Sequence, residues 1–324
     1  MTTRCYFIDT LDPYFNLAAE EYLLKHYQDD IFMLWKGESS IVVGKHQNAL
    51  AEINHAYVEK QGLKIARRLS GGGTVFHDPG NVNFTFIRNI EQVDQLNYAM
   101  FLEDVKQVLK QLGLNVYNSE RDDLMLDGFK ISGNAQHVYR KRVLHHGTLL
   151  FDSNLSELKN ALKVDLSRFK HKAIQSNRSE VANIRPYLKE DMPINAFIDY
   201  LYSSIANLMP QKEIATLSEK DTEQIELLRA EKYSTWDWIY GYSPKYTYQS
   251  KQNEYGTCLF LKVEKGRIKQ VQFDGVGEDL NNILRHVLLE CRHEIKEVKA
   301  NLENTEEQLT RHGLSVNGLI KMMF

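Results

Sequence analysis

The sequence predicts an α+β fold built on a mixed sheet. Three observations carry that expectation: strand-like and helix-like segments are intermixed, hairpin signals join neighbouring strands, and no regular strand–helix alternation marks a parallel array. A first helix is expected over residues 12–26, where Phe15, Ala18, Ala19, Tyr22 and Leu23 recur at helical spacing. Short strand-like runs follow at 31–35, 40–44 and 64–68. The helix expected over 98–112 has a single apolar stripe of Tyr98, Phe101, Leu102, Val105, Val108, Leu109 and Leu112, and Gly113 supplies its stop. Asp127-Gly128 and then the stretch 139–142 read as hairpin turns before a strand over 143–151. Helices are expected again at 194–208 and 222–233, the second opened by the capping-box-like Ser218-Glu219-Lys220-Asp221.

The chain has 324 residues, room for about two domains at roughly 100–200 residues each. Composition shifts after Trp236-Asp237-Trp238 and Ser243-Pro244. Beyond that break, 246–250, 257–263 and 268–273 alternate like strands, with a turn at Glu264-Lys265-Gly266, and helical stretches at 280–290 and 314–324 close the chain. The expected division is therefore a main domain over 1–245 and a small α+β domain over 246–324.

Composition narrows the function classes. With 43% hydrophobic and 26% charged residues the chain reads as an ordinary folded soluble protein. Lys plus Arg number 40 against 43 Asp plus Glu, a formal net charge of −3, which argues against a generic nucleic-acid binder. No signal-peptide core and no apolar run of spanning length is found, so no membrane partner is expected. Cys5, Cys258 and Cys291 show no metal-ligand spacing and no disulfide framework. A reducing cytoplasm is the expected setting.

The most informative stretch runs from Arg67-Arg68-Leu69-Ser70 through Gly71-Gly72-Gly73 to Thr74-Val75-Phe76-His77-Asp78-Pro79-Gly80-Asn81. Three consecutive glycines carry a large entropy cost on folding. Without Cβ atoms their backbone can wrap an anion or let a ligand approach closely. Arg67 and Arg68 stand where a guanidinium can complete a phosphate or carboxylate site. The plainer reading is a tight glycine turn beside surface arginines. Neither the dinucleotide fingerprint nor a P-loop fits, because no GxGxxG opens a helix and no Gly-Lys-Ser/Thr follows.

A second segment is Lys130-Ile131-Ser132-Gly133-Asn134-Ala135-Gln136. A lone lysine is usually a solvated charge, but here small and amide residues follow it, a neighbourhood suited to a ligand. Upstream, Arg121-Asp122-Asp123 offers carboxylates that could share a hydrated magnesium with phosphates. His145 and His146, adjacent on a strand, face opposite sides and so do not share a metal.

Together these segments resemble the lipoate–protein ligase A family. The motifs stand in the family's order: Asn16-Leu17-Ala18-Ala19-Glu20, then Gly44-Lys45-His46-Gln47-Asn48, the block from Arg67 to Asn81, the Lys130 segment, and His146-Gly147-Thr148. A later signature is carried by Lys172, Ser176, Arg178, Val181 and Asn183. Two positions depart from the pattern. Asp122-Asp123 stands where Asn-Asp is frequent, and Ala173 where glycine is common.

The resemblance implies a fold shared with biotin ligases and class II aminoacyl-tRNA synthetases. It implies an ATP-dependent reaction in which lipoate becomes lipoyl-AMP, and the lipoyl group then passes to a lysine of apo lipoyl-domain proteins (2-oxoacid dehydrogenase E2 subunits, glycine cleavage H protein). Lys130 would be the catalytic lysine. Arg68, Gly73, Thr74, Val75, Phe76, Asp123 and Lys130 would bind nucleotide, with Mg2+ at Asp123. Trp35, His46, Arg68, Ser70, Gly71, Gly72, His77, Lys130 and His146 would surround lipoate.

Two other readings compete. An ATP-independent lipoyl or octanoyl transferase carries its acyl group on a cysteine, yet no cysteine lies in the motif blocks. A non-catalytic lipoate sensor could keep the glycine loop but would have little need of Lys130.

Overall fold

The structure, a computed structural model, describes residues 2–91, 97–120, 122–176, 179–253 and 256–324. Arg121 and Arg178, singled out from the sequence, lie outside the described residues. Two compact units are present, each assembled from separate stretches of chain. The first comprises Met1–Lys45, Leu63–Ala161 and Ser176–Thr235; the second comprises His46–Gly62, Leu162–Gln175 and Trp236–Phe324.

The first unit has the expected α+β character. Its strands are β1 (Thr3–Ile8), β2 (Asp30–Lys36), β3 (Ser40–Val43), β4 (Lys64–Arg67), β5 (Val75–His77), β6 (Asn81–Asn89), β7 (Val116–Asn118), β8 (Leu124–Leu126), β9 (Phe129–Ser132), β10 (Asn134–Tyr139) and β11 (Arg142–Leu150). The main sheet runs β10-β11-β6-β2-β1 and ends on the short strand Lys212–Ala215. It is mixed: β1 pairs parallel with β2 and with Lys212–Ala215, while β2-β6, β6-β11 and β11-β10 are antiparallel. Two small sheets, β4-β3-β5 and β7-β8-β9, carry the glycine loop and Lys130. Asp127 and Gly128 both take positive φ, 48° and 85°, at the turn between β8 and β9.

Register decides what each face of the main sheet does. Leu34 opposes Phe84, and Phe32 opposes Phe86; side chains of such partners share a face. All four are buried in one core with Phe101, Val105, Phe197 and Leu201 of the helices Tyr98–Gln111 and Ile194–Leu208. The alternate residues point the other way. Trp35 opposes Asn83, which opposes Thr148, and Thr85 opposes His146, which opposes Ala135. Over this second face lies the helix Pro13–His26, capped by Asp12, which accepts from the Tyr14 amide. That helix buries even Asn16, Glu20 and Glu21, as a helix enclosed on several sides must.

His145 faces the apolar core. It is fully buried and stacked on Phe101, ring centroids 5.0 Å apart, and its pKa is pushed down to about 3 by burial and by the positive charges of His146 and Arg88. Between its ordinary value of 6.5 and about 3, the unfolded chain holds a proton that the native state does not. Stability therefore falls as pH drops through that window, by about 1.4 kcal/mol per pH unit for one such proton. Denaturant midpoints between pH 7 and pH 4 should show a shallower slope in His145→Phe than in the parent.

The second unit closes its own core. Tyr246–Gln249, Cys258–Glu264 and Arg267–Asp274 form antiparallel pairs, and Phe169–His171 adds to Tyr246–Gln249. Leu280, Leu284 and Leu288 of the helix Glu278–Leu288 cover the sheet with Leu302, Leu319 and Met323. Leu50, from the inserted stretch His46–Gly62, joins the same core. Among the described residues no helix is long and apolar enough to cross a membrane.

Candidate active site

Between β4 and β5 the chain must cross β3, because β4 pairs with β3 parallel and β5 antiparallel. The crossing is the glycine loop. Gly72 has φ 81°, which a side chain resists, and its carbonyl oxygen sits where a Cβ on Gly44 would fall. The loop is thus folded tightly onto the end of β3, with the Lys45 amide donating to Ser70 O at 2.9 Å.

Both arginines hold this loop. Arg67, fully buried, donates to the carbonyls of Gly44 and Lys45 at 2.9 and 3.0 Å. Arg68 donates from Nε to Ser70 Oγ at 3.0 Å, from Nη1 to Val42 O at 3.1 Å, and from Nη2 to the carbonyls of Gly71 and Gly73, each at 2.6 Å. These four bonds occupy most of the five N–H donors a guanidinium has. Burial lowers the Arg68 pKa to about 10, against the raising influence of Glu20. From the sequence both guanidiniums could be offered to a ligand anion; in the structure they bond the protein's own carbonyls and the Ser70 hydroxyl, and so shape the glycine loop.

Beneath the loop runs a buried chain of polar groups. Ser70 Oγ and His146 Nε2 are 2.6 Å apart, and His146 Nδ1 lies 2.9 Å from Glu20 Oε2. Glu20 Oε1 accepts from Thr85 Oγ1 at 2.6 Å, and the Trp35 indole N–H reaches Thr85 Oγ1 at 3.4 Å. Glu20, from the first sequence motif, so links three walls of the site.

Lys130 comes from the other small sheet. Its amide donates to Glu180 O at 3.0 Å and its carbonyl accepts from the Ala182 amide at 3.1 Å, with a parallel bridge to Val181. The late sequence signature therefore braces Lys130. The Lys130 ammonium meets Asp123 Oδ1 at 2.9 Å. Ser176, from the same signature, accepts from the Thr74 amide at 2.9 Å.

All of this opens on one cavity of about 240 Å³. Of the residues expected at a site, Trp35, Arg68, Gly73, Thr74, Val75, His77, Asp123, Lys130 and His146 line it. Ser70, Gly71, Gly72 and Phe76 are not in its lining, although Ser70 bonds both Arg68 and His146. His46 is exposed and belongs to the second unit. Leu17, Gly133, Ala135, Thr148 and Ser176, which stand in the sequence motifs without an individual role, also line the cavity, as do Val42 and Asn83, which no motif singled out. His77 sits edge-on to Trp35, centroids 5.5 Å apart, and burial with the nearby Arg68 and His146 charges lowers its pKa to about 3.

Among the described residues no group of three or more His, Cys, Asp or Glu could hold a metal by themselves. Asp123 offers one carboxylate at the cavity, which fits a hydrated magnesium taking its other ligands from phosphates. The cysteines stand apart from the cavity lining. Burial raises the Cys5 thiol to about 11 and the Cys291 thiol to about 12, away from the thiolate a nucleophile needs. Cys258 is half-buried and donates to Ser250 O at 3.3 Å.

The cavity, rimmed by the glycine loop and holding the carboxylate-paired Lys130, lies within residues 12–206, which match the sequence model of the lipoyl protein ligase A/B catalytic domain. The chain belongs to the lipoate–protein ligase family. It is 41% identical over 285 residues to lipoate–protein ligase LplJ of Bacillus subtilis, covering 84% of this chain and 86% of the relative. To lipoate–protein ligase 1 of Staphylococcus aureus it is 36% identical over 311 residues, covering 94% and 92%. Among solved structures, a Thermoplasma acidophilum protein with bound lipoic acid superposes with a TM-score of 0.64 at 26% identity, covering 74% of this chain and 99% of that one.

Proposed function

We propose that this enzyme activates lipoate with ATP to lipoyl-AMP and transfers the lipoyl group to a lysine of an apo lipoyl domain. The observation that carries the reading is the convergence of Lys130, the glycine-loop residues Gly73, Thr74 and Val75, and the apolar side chains Leu17, Trp35 and Val42 on one cavity. The lipoic acid held by the T. acidophilum relative supports the choice of acid.

In the first step a lipoate carboxylate oxygen attacks the α-phosphorus of ATP and pyrophosphate leaves. Two anions must approach, so a fixed cation between them lowers the barrier. Lys130 supplies that charge, and Gly73, Thr74 and Val75, which line the cavity, would border the phosphates, the Thr74 amide being held by Ser176 Oγ. Asp123 would hold magnesium jointly with phosphate oxygens, where the ion would offset their charge. In the second step the acceptor amine attacks the acyl carbon, gives up a proton, and AMP leaves. Lys130 then polarises the carbonyl.

Incubation with lipoate, Mg-ATP and a purified apo lipoyl domain tests the reading by mass spectrometry. The domain should gain one lipoyl group only when ATP is present. Gain without ATP would indicate an acyl transferase, and lipoate binding without pyrophosphate release a sensor.

Residues 246–324 form an accessory domain in this reading. Deleting them strips the second unit's core from Leu50 and Phe169. In the truncated protein, lipoyl-AMP formation should fall further than transfer from synthetic lipoyl-AMP, as read by parallel pyrophosphate and lipoylation assays. Equal losses in a folded truncation would count against that division of labour.

A further inference from the structure

The floor of the cavity is not uniformly apolar. From the lysine end it runs across the sheet in a defined row. Lys130 Cε lies against Gly133, 3.2 Å from where a Cβ would stand. Gly133 exchanges hydrogen bonds with Thr148, at 3.1 Å to Gly133 O and 3.3 Å to Thr148 Oγ1. Thr148 opposes Asn83, and Asn83 opposes Trp35. Two inter-strand steps of about 4.8 Å put Trp35 about 10 Å from Thr148. An acyl chain whose carboxylate meets Lys130 therefore lays its far end over Asn83 and Trp35.

That far end holds two polar groups without partners. Asn83 is 2% exposed; its Oδ1 accepts from Asn81 Nδ2 at 3.0 Å, and its Nδ2 has no hydrogen-bond partner among the described residues. His77, beside Trp35 and 3% exposed, leaves Nδ1 in the same condition. Both residues line the cavity. Buried polar atoms are nearly always hydrogen-bonded, so exceptions at a cavity wall call for a reason.

We infer that Asn83, assisted by His77, is the residue that selects an acyl tail ending in a polarisable acceptor over a plain alkyl tail, that is, the dithiolane of lipoate over octanoate. The inference rests on the lipoate-activating function proposed above. Dithiolane sulfur is a weak acceptor that can take the Asn83 N–H, and it packs well at the edge of the Trp35 ring. A methylene in the same place leaves the amide desolvated and unpaired, which is how a polar pocket rejects an analogue lacking the matching group.

Pyrophosphate release with Mg-ATP and either lipoate or octanoate is measured for the parent, Asn83→Leu and Asn83→Ser. The parent should favour lipoate by about tenfold or more in kcat/KM, and Asn83→Leu should lower that ratio at least about fivefold. A partly unfolded preparation loses rate on both acids alike, so the ratio reports selection. If Asn83→Leu does not fold, Asn83→Ser, whose hydroxyl cannot reach as far, should show a lowered ratio as well. A parent that uses both acids equally, or a folded variant that keeps the parental ratio, overturns the inference. A parent that releases no pyrophosphate with either acid overturns the proposed function first.

Discussion

Replacing Lys130 by alanine is expected to cut lipoate-dependent pyrophosphate release at least about a hundredfold, the usual cost of removing a preorganised charge from a closed site. The fold should tolerate the change. The Lys130 and Asp123 side chains are 23% and 20% exposed, and partly solvated ion pairs contribute about 0–1 kcal/mol. The strand is held through its backbone, by Glu180 O and the Ala182 amide, which the substitution leaves in place. A loss of rate with an unchanged melting midpoint is therefore the signature. Lys130→Arg should not restore the rate, since a planar fork needs more room than Gly133 leaves beside the ammonium. Near-normal ligation by a folded Lys130→Ala protein would remove Lys130 from the reaction.

The contrast between Lys130 and its surroundings shows what was legible in the sequence. Helices with a clear apolar period, such as Ile194–Leu208, and turns with their own chemistry, such as Asp127-Gly128, could be read locally. The helices Ala49–Glu52 and His55–Gln61 are too short to show a period, and the strand Lys212–Ala215 carries three exposed residues and no apolar face. Segment boundaries in space were also hidden. Nothing local reveals that His46–Gly62 packs with the C-terminal stretch; His46 was expected at the lipoate site only through the family resemblance. Asn83 did leave a trace. Asn81, Asn83 and Thr85 alternate with Val82, Phe84 and Phe86, so one face of β6 is polar although the whole run is buried. Such a face needs partners, and a ligand cavity is one way to supply them.

Replacing Arg68 should do what replacing Lys130 does not, and damage the fold and the chemistry together. Arg68 is 5% exposed, and its guanidinium satisfies Val42 O, Gly71 O, Gly73 O and Ser70 Oγ. Arg68→Met strands those acceptors and leaves the buried Glu20 without the positive charge that faces it. Removing one member of a buried charged network costs about 3–5 kcal/mol. Urea denaturation should show a loss in that range, and pyrophosphate release should fall at least about a hundredfold as Gly73 and Thr74 lose their fixed geometry. Arg68→Lys separates charge from shape, because a single ammonium keeps the charge but cannot reach carbonyls on both sides of the loop as the fork does. It should lose most of the activity while recovering part of the stability, since Glu20 again faces a cation. If Arg68→Lys instead kept both the parental urea midpoint and the parental rate, the loop would be held by its own backbone, and the role assigned to the guanidinium would be wrong.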